Sequence, residues 1–405
     1  MRILFVTPNL PYPPHQGGAI RIYGFLKELH KAGHEITLLS FIGEDTPLTP
    51  DNPLTAICQH ILTIPTPSHS LSKRLMTIAF TNKADIANRL YDAKMEQAFL
   101  DQLAHHSYDL IQIEGIEVGS YLLTAKNRFP HIPIVYDAHN AETDLQRFFA
   151  EVAFNHIKQL PSALYSQIQS RRIERFEREL ITKADKVVSV SEEDQVILKR
   201  LSNMANVEVV PNGIFTADYE PTTSATHLEL KPNALVFTGK MDYRPNIDAV
   251  VWFVDEVLPL IERYTHVHFY IVGQKPHARL ETLRNHPNVT LTGWVPEILP
   301  YLLQSSLYVA PLRIGSGTRL KLLEAMAAKC AIVATPTAAS GLGSQISNYL
   351  TLADKPQEFA NSVLELLQDP NRRQIMGSKA QEYVHQYYDW SVIAPRLLQV
   401  YAQLG

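Results

Sequence analysis

The stretch from Pro311 to Ala328 holds the residue pattern with the plainest chemistry. A short apolar run, Leu307 to Leu312, stops at Gly315-Ser316-Gly317, and a helical pattern follows at once. A strand, glycine turn and helix in that order aim backbone N–H groups and a positive helix end at an anion. Thr318, Arg319 and Lys321 fall in the first helical turn. The helix dipole favours acids there by about 0.3–1 kcal/mol each, so two cations break a local rule. Such a break without visible compensation marks a functional position. No acid occurs from Ile298 to Leu323, and then Glu324 shares a helix face with Leu320 and Ala327. The arrangement suits a diphosphate held by the turn and its cations, with Glu324 receiving a neighbouring hydroxyl. A capped surface helix with a solvated Arg/Lys pair is the plain alternative.

Other polar clusters close other apolar runs. Lys240 and Arg244, in the run Gly239 to Asn246, add cations at what would be the same sheet edge. Cations after two strands of one sheet would neutralise a diphosphate leaving group. Gly273 ends the next strand, and the loop Gly293-Trp294-Val295 offers backbone groups or an aromatic face to a base. Trp294 as plain core remains open.

Tyr136 to Glu142 ends an apolar strand with Asp137, His139, Asn140 and Glu142. These suit hydrogen bonding to a polyhydroxylated ligand, or orientation of His139 by Asp137. A structural turn capped by Asp137 would use the same residues. Glu114, at the end of its own strand, faces the same edge. Metal-ligand spacing such as H-x-x-x-H is missing, so no metal is expected. The Gln16-Gly17-Gly18 turn lets backbone approach a ligand closely. It lacks the dinucleotide spacing, and the second strand ends in Ser40-Phe41 in place of a ribose-binding acid. Arg21, one turn into that helix, is expected in solvent.

The elements that must position these residues alternate. Strand-like runs at Ile3–Val6, Glu35–Phe41, Asp109–Ile113, Pro133–Tyr136 and Lys186–Val190 are interleaved with helical patterns to about Lys31 and around 91–105 and 163–183. The second half repeats this with runs at Ala234–Phe237, His266–Val272, Val289–Leu291, Leu307–Ala310 and Ala331–Ala334. Its helical patterns lie near 246–263, 277–285, 296–304, 318–329, 356–368 and 371–387. Alternation of this kind predicts an α/β protein of two Rossmann-like, doubly wound parallel-sheet domains. The Val209–Gly213 break and the threonine-rich segment 215–233 place the boundary after residue 212. Domains of 1–212 and 213–389 follow, with a C-terminal helix over 390–405 crossing back to the first. The carboxyl ends of both sheets would face a ligand cleft.

Composition narrows the class. The 405 residues carry a net charge of −4, without the basic excess of a nucleic-acid binder. Cys58 and Cys330 are the only cysteines, which excludes a disulfide framework and fits a reducing cytoplasm. MRILFVTPNL reads as a first core strand and not as a signal peptide. No apolar run is long enough to span a bilayer. Arginines and phenylalanines over 148–183 would allow peripheral contact with the inner membrane face at most. Glu174, Glu177 and Glu179 favour an ordinary salt-bridged helix there.

These motifs together resemble the retaining glycosyltransferases of family 4, which have the GT-B fold. The resemblance rests on TPNLPYPPHQGGAIR, YDAHNAE, VVSVSEEDQ, VVPNGI, FTGKMDYRPN, LTGWVP, GSGTRLKLLEAMA and YDWS, in order along nearly the whole chain. GKMDYRPNIDAVVWF and GSGTRLKLLEAMAA look closest to a bacterial branch of exopolysaccharide-type sugar transferases. The resemblance implies that Glu324 is the second glutamate of an E-x7-E motif and binds the nucleotide ribose. It places Lys240 at a phosphate-binding arginine position. Asn246 stands at the partner lysine position, so Arg244, Arg319 or Lys321 would supply that charge. Gly17 and Gly18 match the glycine loop near the donor phosphate, and His139 the histidine beside the transferred sugar. Leu322 joins Gly273, Trp294, Val295 and the 316–318 turn on the donor side, while Glu114, Asp137, Asn140 and Glu142 face the acceptor. Ser316 departs from the pattern, because it stands eight residues before Glu324 where the first glutamate belongs.

The function this implies is transfer of a sugar from a UDP- or GDP-type donor to a sugar, lipid-linked or small-molecule hydroxyl, with retention. It would serve polysaccharide, glycolipid or glycosylated-metabolite synthesis. The nucleotide sugar is co-substrate, with no cofactor and no metal; His139, Lys240 and Arg319 would be catalytic. A nucleotide-sugar epimerase of the same fold, and a non-catalytic relative that only binds, are the alternatives.

Overall fold

A computed structural model describes residues 1–14, 17–43, 47–67, 84–147, 160–202, 206–221, 228–314 and 320–404, with side chains omitted for 160–167. The chain divides into two compact units, Met1–Asn212 with Ile393–Gly405, and Gly213–Val392.

The first unit is built on seven strands: β1 (Arg2–Thr7), β2 (Glu35–Ile42), β3 (His60–Pro65), β4 (Leu110–Glu114), β5 (Ile134–Ala138), β6 (Lys186–Ser189) and β7 (Val207–Val209). They pair in parallel in the order β3-β2-β1-β4-β5-β6-β7. β4 and β5 are buried along their whole length, as expected where helices cover both faces of a parallel sheet. Helix α1 (Gly17–Lys31) follows β1 and buries Ile22, Phe25, Leu26 and Leu29, a stripe at helical spacing. It stops at Gly33, whose φ of 82° suits only a residue without Cβ. The strand order reverses between β1 and β4, which opens a crevice at their carboxyl ends.

The second unit repeats the plan with β8 (Ala234–Thr238), β9 (His268–Val272), β10 (Val289–Gly293), β11 (Leu307–Ala310), β12 (Ile332–Ala334) and β13 (Thr351–Leu352). The order is β10-β9-β8-β11-β12-β13, all parallel, so the reversal lies between β8 and β11. Each unit has its own apolar core. Both cysteines are buried, and burial pushes each thiol up to about 12.

Several elements differ from the sequence-based expectation. β3 is a half-buried edge strand, so it lacks the apolar run that identified the central strands. β7 and β13 are three and two residues long, too short to show a period. Helices also form at Gly119–Arg128 and Glu192–Ser202. The expected helix near 246–263 is interrupted by a π turn at Phe253–Val257. Pro259 explains the interruption: it has no N–H to donate and its ring crowds the preceding turn. Ala278–Asn285 is a 3-10 helix. The final helix, Trp390–Ala402, changes unit after Val392, three residues beyond the expected boundary at 389. Its Tyr401 hydroxyl donates to buried Gln112 Oε1 at 3.1 Å.

Candidate functional site

In the first unit the β1/β4 crevice gathers four charged residues. Parallel pairing sets Glu114 on β4 beside Asp137 on β5, and both side chains are fully buried. Two buried carboxylates side by side repel, and each has its own partner. Arg21, 1% exposed, reaches Asp137 with Nε at 2.7 Å and Nη2 at 2.9 Å. Its Nη1 donates to Val210 O at 2.9 Å and to Asn212 Oδ1 at 3.1 Å. The expectation that Arg21 is solvated is therefore wrong: a buried acid brought next to α1 by the sheet draws the guanidinium inward.

His139 turns to the other acid. Its Nε2 lies 2.9 Å from Glu114 Oε2, so Glu114 holds the ring and not Asp137, whose two oxygens are taken by Arg21. Burial lowers the affinity of His139 for a proton. The hydrogen bond with Glu114 and the charges of Asp137 and Glu114 outweigh that, and its pKa is raised despite Arg21. Burial and the neighbouring Asp137 raise the Glu114 carboxyl, with the His139 hydrogen bond opposing. Gly18 and Gly115 form a bare-backbone wall at the other ring nitrogen. A Cβ on Gly18 would stand 3.4 Å from His139 Nδ1, and one on Gly115 3.5 Å from it. Gly17, at the start of α1, is exposed.

Asn140 and Glu142 are half-buried beyond this group. Glu142 accepts from Gln146 Nε2 at 2.8 Å, its backbone N–H donates to Glu177 at 2.8 Å, and burial raises its carboxyl. Glu114, Asp137 and His139 bring one potential metal-ligand atom each to within 4.8 Å of one another. Local spacing hid this grouping, because it spans two strands. The Arg21 guanidinium already occupies both Asp137 oxygens, and its fixed charge opposes a cation there.

In the second unit Lys240, Asn246 and Lys321 meet at the β8/β11 reversal. β8, β9 and β10 each run into a glycine, Gly239, Gly273 and Gly293. A Cβ on Gly273 would lie 1.7 Å from Gly239 O, so these two backbones approach as only glycine permits. Lys321 Nζ donates to Asn246 Oδ1 at 2.6 Å and sits 4.4 Å from the Phe237 ring centre. Asn246 Nδ2 in turn donates to Lys240 O at 2.9 Å. Asn246 thus joins the Lys321 side chain to the Lys240 main chain. Lys240 Nζ is half-exposed, 3.8 Å from Asp242, and Arg244 is exposed.

Glu324 Oε1 accepts from the Tyr219 hydroxyl at 3.0 Å. Burial raises the Glu324 carboxyl, with Tyr219 and Lys321 opposing. Burial, then the charge of Glu324, holds the Tyr219 hydroxyl well above an ordinary phenol. Trp294 is 68% exposed and is not core; Val295 packs against the core of its unit. Leu322 is fully buried, so only its main chain can face a ligand. Gly315, Ser316, Gly317, Thr318 and Arg319 lie outside the described residues. The loop leading to them is anchored, since Arg313 forks onto Asp248 at 3.0 and 2.8 Å.

Sequence reasoning missed Arg21, Tyr219 and Arg313, whose partners are all distant in the chain. Over the stretch read as salt-bridged or membrane-facing, Glu174 accepts from Arg147 at 2.5 Å and Arg178 at 2.8 Å. Residues 148–159 of that stretch lie outside the described residues. Among the described residues no helix is long and apolar enough to cross a membrane.

Residues 15–218 match the family described as Glycosyltransferase Family 4, and residues 232–369 match Glycosyl transferases group 1. An uncharacterized 44.6 kDa protein in the cps region of Klebsiella pneumoniae is 19% identical over 404 residues, covering 96% of each chain. Sucrose-phosphate synthase from Thermosynechococcus elongatus superposes with a TM-score of 0.74 at 17% identity, over 100% of this chain and 99% of its own. Anabaena Alr3699/HepE in complex with UDP and glucose gives a TM-score of 0.68 at 16% identity, over 100% of both chains. The likeness to these structures establishes the two-sheet GT-B fold.

Proposed function

The chain belongs to Glycosyltransferase Family 4, and from that premise we propose that it transfers a sugar from a nucleotide-diphosphate donor to an acceptor hydroxyl with retention of anomeric configuration. The observation that carries this reading is the group at the β8/β11 reversal, where Lys321 Nζ bonds Asn246, Asn246 bonds the Lys240 carbonyl, and the charge of Lys321 acts on Glu324. A bonded cation near a half-buried carboxylate suits a diphosphate joined to a ribose. Glu324 would receive the ribose hydroxyl, and Lys240, Lys321 and Arg319 the departing diphosphate. The main chain of Gly317 and Thr318, with Ser316, would meet the sugar. Trp294 and the Gly293 backbone would meet the base. The complex of Anabaena Alr3699/HepE with UDP supports a uridine nucleotide as the first to test.

In this mechanism the bond from the anomeric carbon to the diphosphate oxygen breaks as the acceptor oxygen adds on the same face. The acceptor proton passes to the leaving diphosphate, and no protein side chain becomes a covalent nucleophile. His139 hydrogen-bonds the transferred sugar, and Glu142 and Asn140 face the acceptor. Fixed cations perform the charge stabilisation, so the reading requires no metal and no cofactor.

Thermal-shift titration of the purified protein with UDP, GDP and their sugars tests the donor. The expected result is stabilisation by one nucleotide series, lost in Glu324→Ala and reduced in Lys321→Met. Absence of any nucleotide-dependent shift overturns the assignment. With a donor in hand, the anomeric proton coupling of the product reads retention. Conversion of donor without acceptor would identify an epimerase, and binding without any transfer a non-catalytic relative.

A further inference from the structure

We propose that Glu114 is a positioning residue for His139: it holds the ring by Nε2 and leaves Nδ1, against the bare backbone of Gly18 and Gly115, as the atom that meets a ligand hydroxyl. The identity of that hydroxyl as one on the transferred sugar rests on the reading above; the orientation of the ring does not.

The geometry has three parts. Glu114 Oε2 lies 2.9 Å from Nε2, on the fully buried carboxylate of a central strand. Gln112, also buried, donates from Nε2 to Glu114 Oε1 at 3.0 Å, and Tyr401 donates to Gln112 Oε1 at 3.1 Å. Glu114 is therefore held at both oxygens and cannot swing away from the ring without breaking a buried chain of hydrogen bonds. On the far side, Nδ1 has no hydrogen-bond partner among the described residues. A Cβ on Gly18 or Gly115 would stand 3.4 or 3.5 Å from Nδ1, so both glycines leave this side of the ring open. The His139 side chain is 19% exposed.

The proton on the pair decides what Nδ1 does. When one proton is shared across the Nε2–Oε2 bond and a second sits on Nδ1, the free nitrogen is a donor. That holds whichever partner carries the formal charge. When the second proton leaves, Nδ1 becomes an acceptor. The groups facing the ring are Glu114 on β4, Asp137 on β5, and Arg21 on α1, with Glu117 beside Gly115. Arg21 occupies both Asp137 oxygens, so the ring's hydrogen bond goes to Glu114, while the charges of both acids raise its proton affinity. The raised affinity of both members of the pair for protons widens the pH range over which Nδ1 is a donor.

Long-range 1H–15N spectra of the full-length protein labelled at histidine test this, with His139→Gln assigning the resonance by subtraction. The expected wild-type spectrum shows Nδ1 protonated at pH 7 and Nε2 hydrogen-bonded, with a midpoint above that of exposed histidines in the same spectra. Glu114→Gln keeps the shape and removes the charge, and should lower the His139 proton affinity at least tenfold. In turnover, the same variant should move the alkaline limb of kcat/KM to lower pH while the nucleotide KM stays unchanged. Gly18→Ala, which places a methyl 3.4 Å from Nδ1, should lower kcat while the Nε2 hydrogen bond to Glu114 persists in the spectrum. An ordinary midpoint in the wild type, or one unmoved in Glu114→Gln, overturns the proposal. The wild-type spectrum decides even if that variant fails to fold. The spectra need no substrate, so a failure of sugar transfer leaves this result standing, and a failure of the spectra leaves transfer standing.

Discussion

Arg21 and Asp137, 116 positions apart in the chain, form a two-point ion pair at the carboxyl edge of the first sheet, with distances of 2.7 and 2.9 Å. The pair solves a problem set by strand register. Parallel pairing puts Glu114 and Asp137 side by side in the interior. One acid is matched by a guanidinium from α1 and the other by an imidazole from the end of β5. Because Arg21 also donates to Val210 O and Asn212 Oδ1, the same side chain ties α1 to the last residues of the first unit.

Removing either member of that pair leaves the other buried and unmatched, which is costly where water cannot reach. Arg21→Met should lower the stability of the first unit by about 3–5 kcal/mol. Asp137→Asn should act in the same direction. The double change Arg21→Met/Asp137→Leu should recover most of the loss, because a buried pair replaced by apolar groups of similar volume is close to neutral. Thermal unfolding followed by circular dichroism reads all three. Near-wild-type stability in Arg21→Met would show that the pair contributes nothing to the fold.

The pH dependence of stability follows from the Glu114–His139 pair. His139 has a raised proton affinity in the folded chain, so its stabilisation is full below its ordinary pKa of about 6.5 and fades as pH rises through the folded value. Glu114 is also raised, so the folded chain holds a proton that the unfolded chain has released above the ordinary carboxylate range. Both effects make stability fall with rising pH. Glu177, pushed up to about 7 by burial, adds the same sign elsewhere, so the difference between proteins is the quantity to read. Wild-type Tm should fall more steeply than that of Glu114→Gln as pH rises above about 6.5. Parallel curves would remove the pair from the pH response.

The central strands were legible because burial on both faces turns them into unbroken apolar runs, as in Ile3–Val6 and Leu307–Ala310. The edge strand His60–Pro65 was not, because half-exposure dilutes that signal. Glu324 could be singled out by helix face alone, and the structure packs it against Tyr219. Its partner could not be found that way, since nothing local to Tyr219 points 105 residues ahead. Arg21 failed for a similar reason: periodicity gives a face, not the charge that waits on it. The wrong partner for His139 came from preferring the acid two positions away, Asp137, to one across the sheet, Glu114. Register, which spacing within one strand does not reveal, made the difference.

The Tyr219–Glu324 contact makes the last prediction, about how nucleotide binding divides between ribose and diphosphate. Tyr219 holds one oxygen of Glu324, so the carboxylate presents a fixed direction to a ribose hydroxyl. A hydrogen bond to a charged acceptor contributes about 1.5–3 kcal/mol, which sets the scale for Tyr219→Phe at roughly tenfold or more in nucleotide affinity. Because Tyr219 acts through Glu324, the double variant Tyr219→Phe/Glu324→Ala should bind no more weakly than Glu324→Ala alone. Lys321 stands on the other arm: bonded to Asn246 beside Gly239, it faces the diphosphate in the proposed reading. Lys321→Met should weaken UDP while leaving uridine unchanged, whereas Tyr219→Phe should weaken both alike. Calorimetric titration of the variants with the two ligands separates the arms. Strict additivity of Tyr219→Phe and Glu324→Ala would show that Tyr219 does not act through the carboxylate. Equal loss of uridine and UDP in Lys321→Met would move that lysine away from the phosphates.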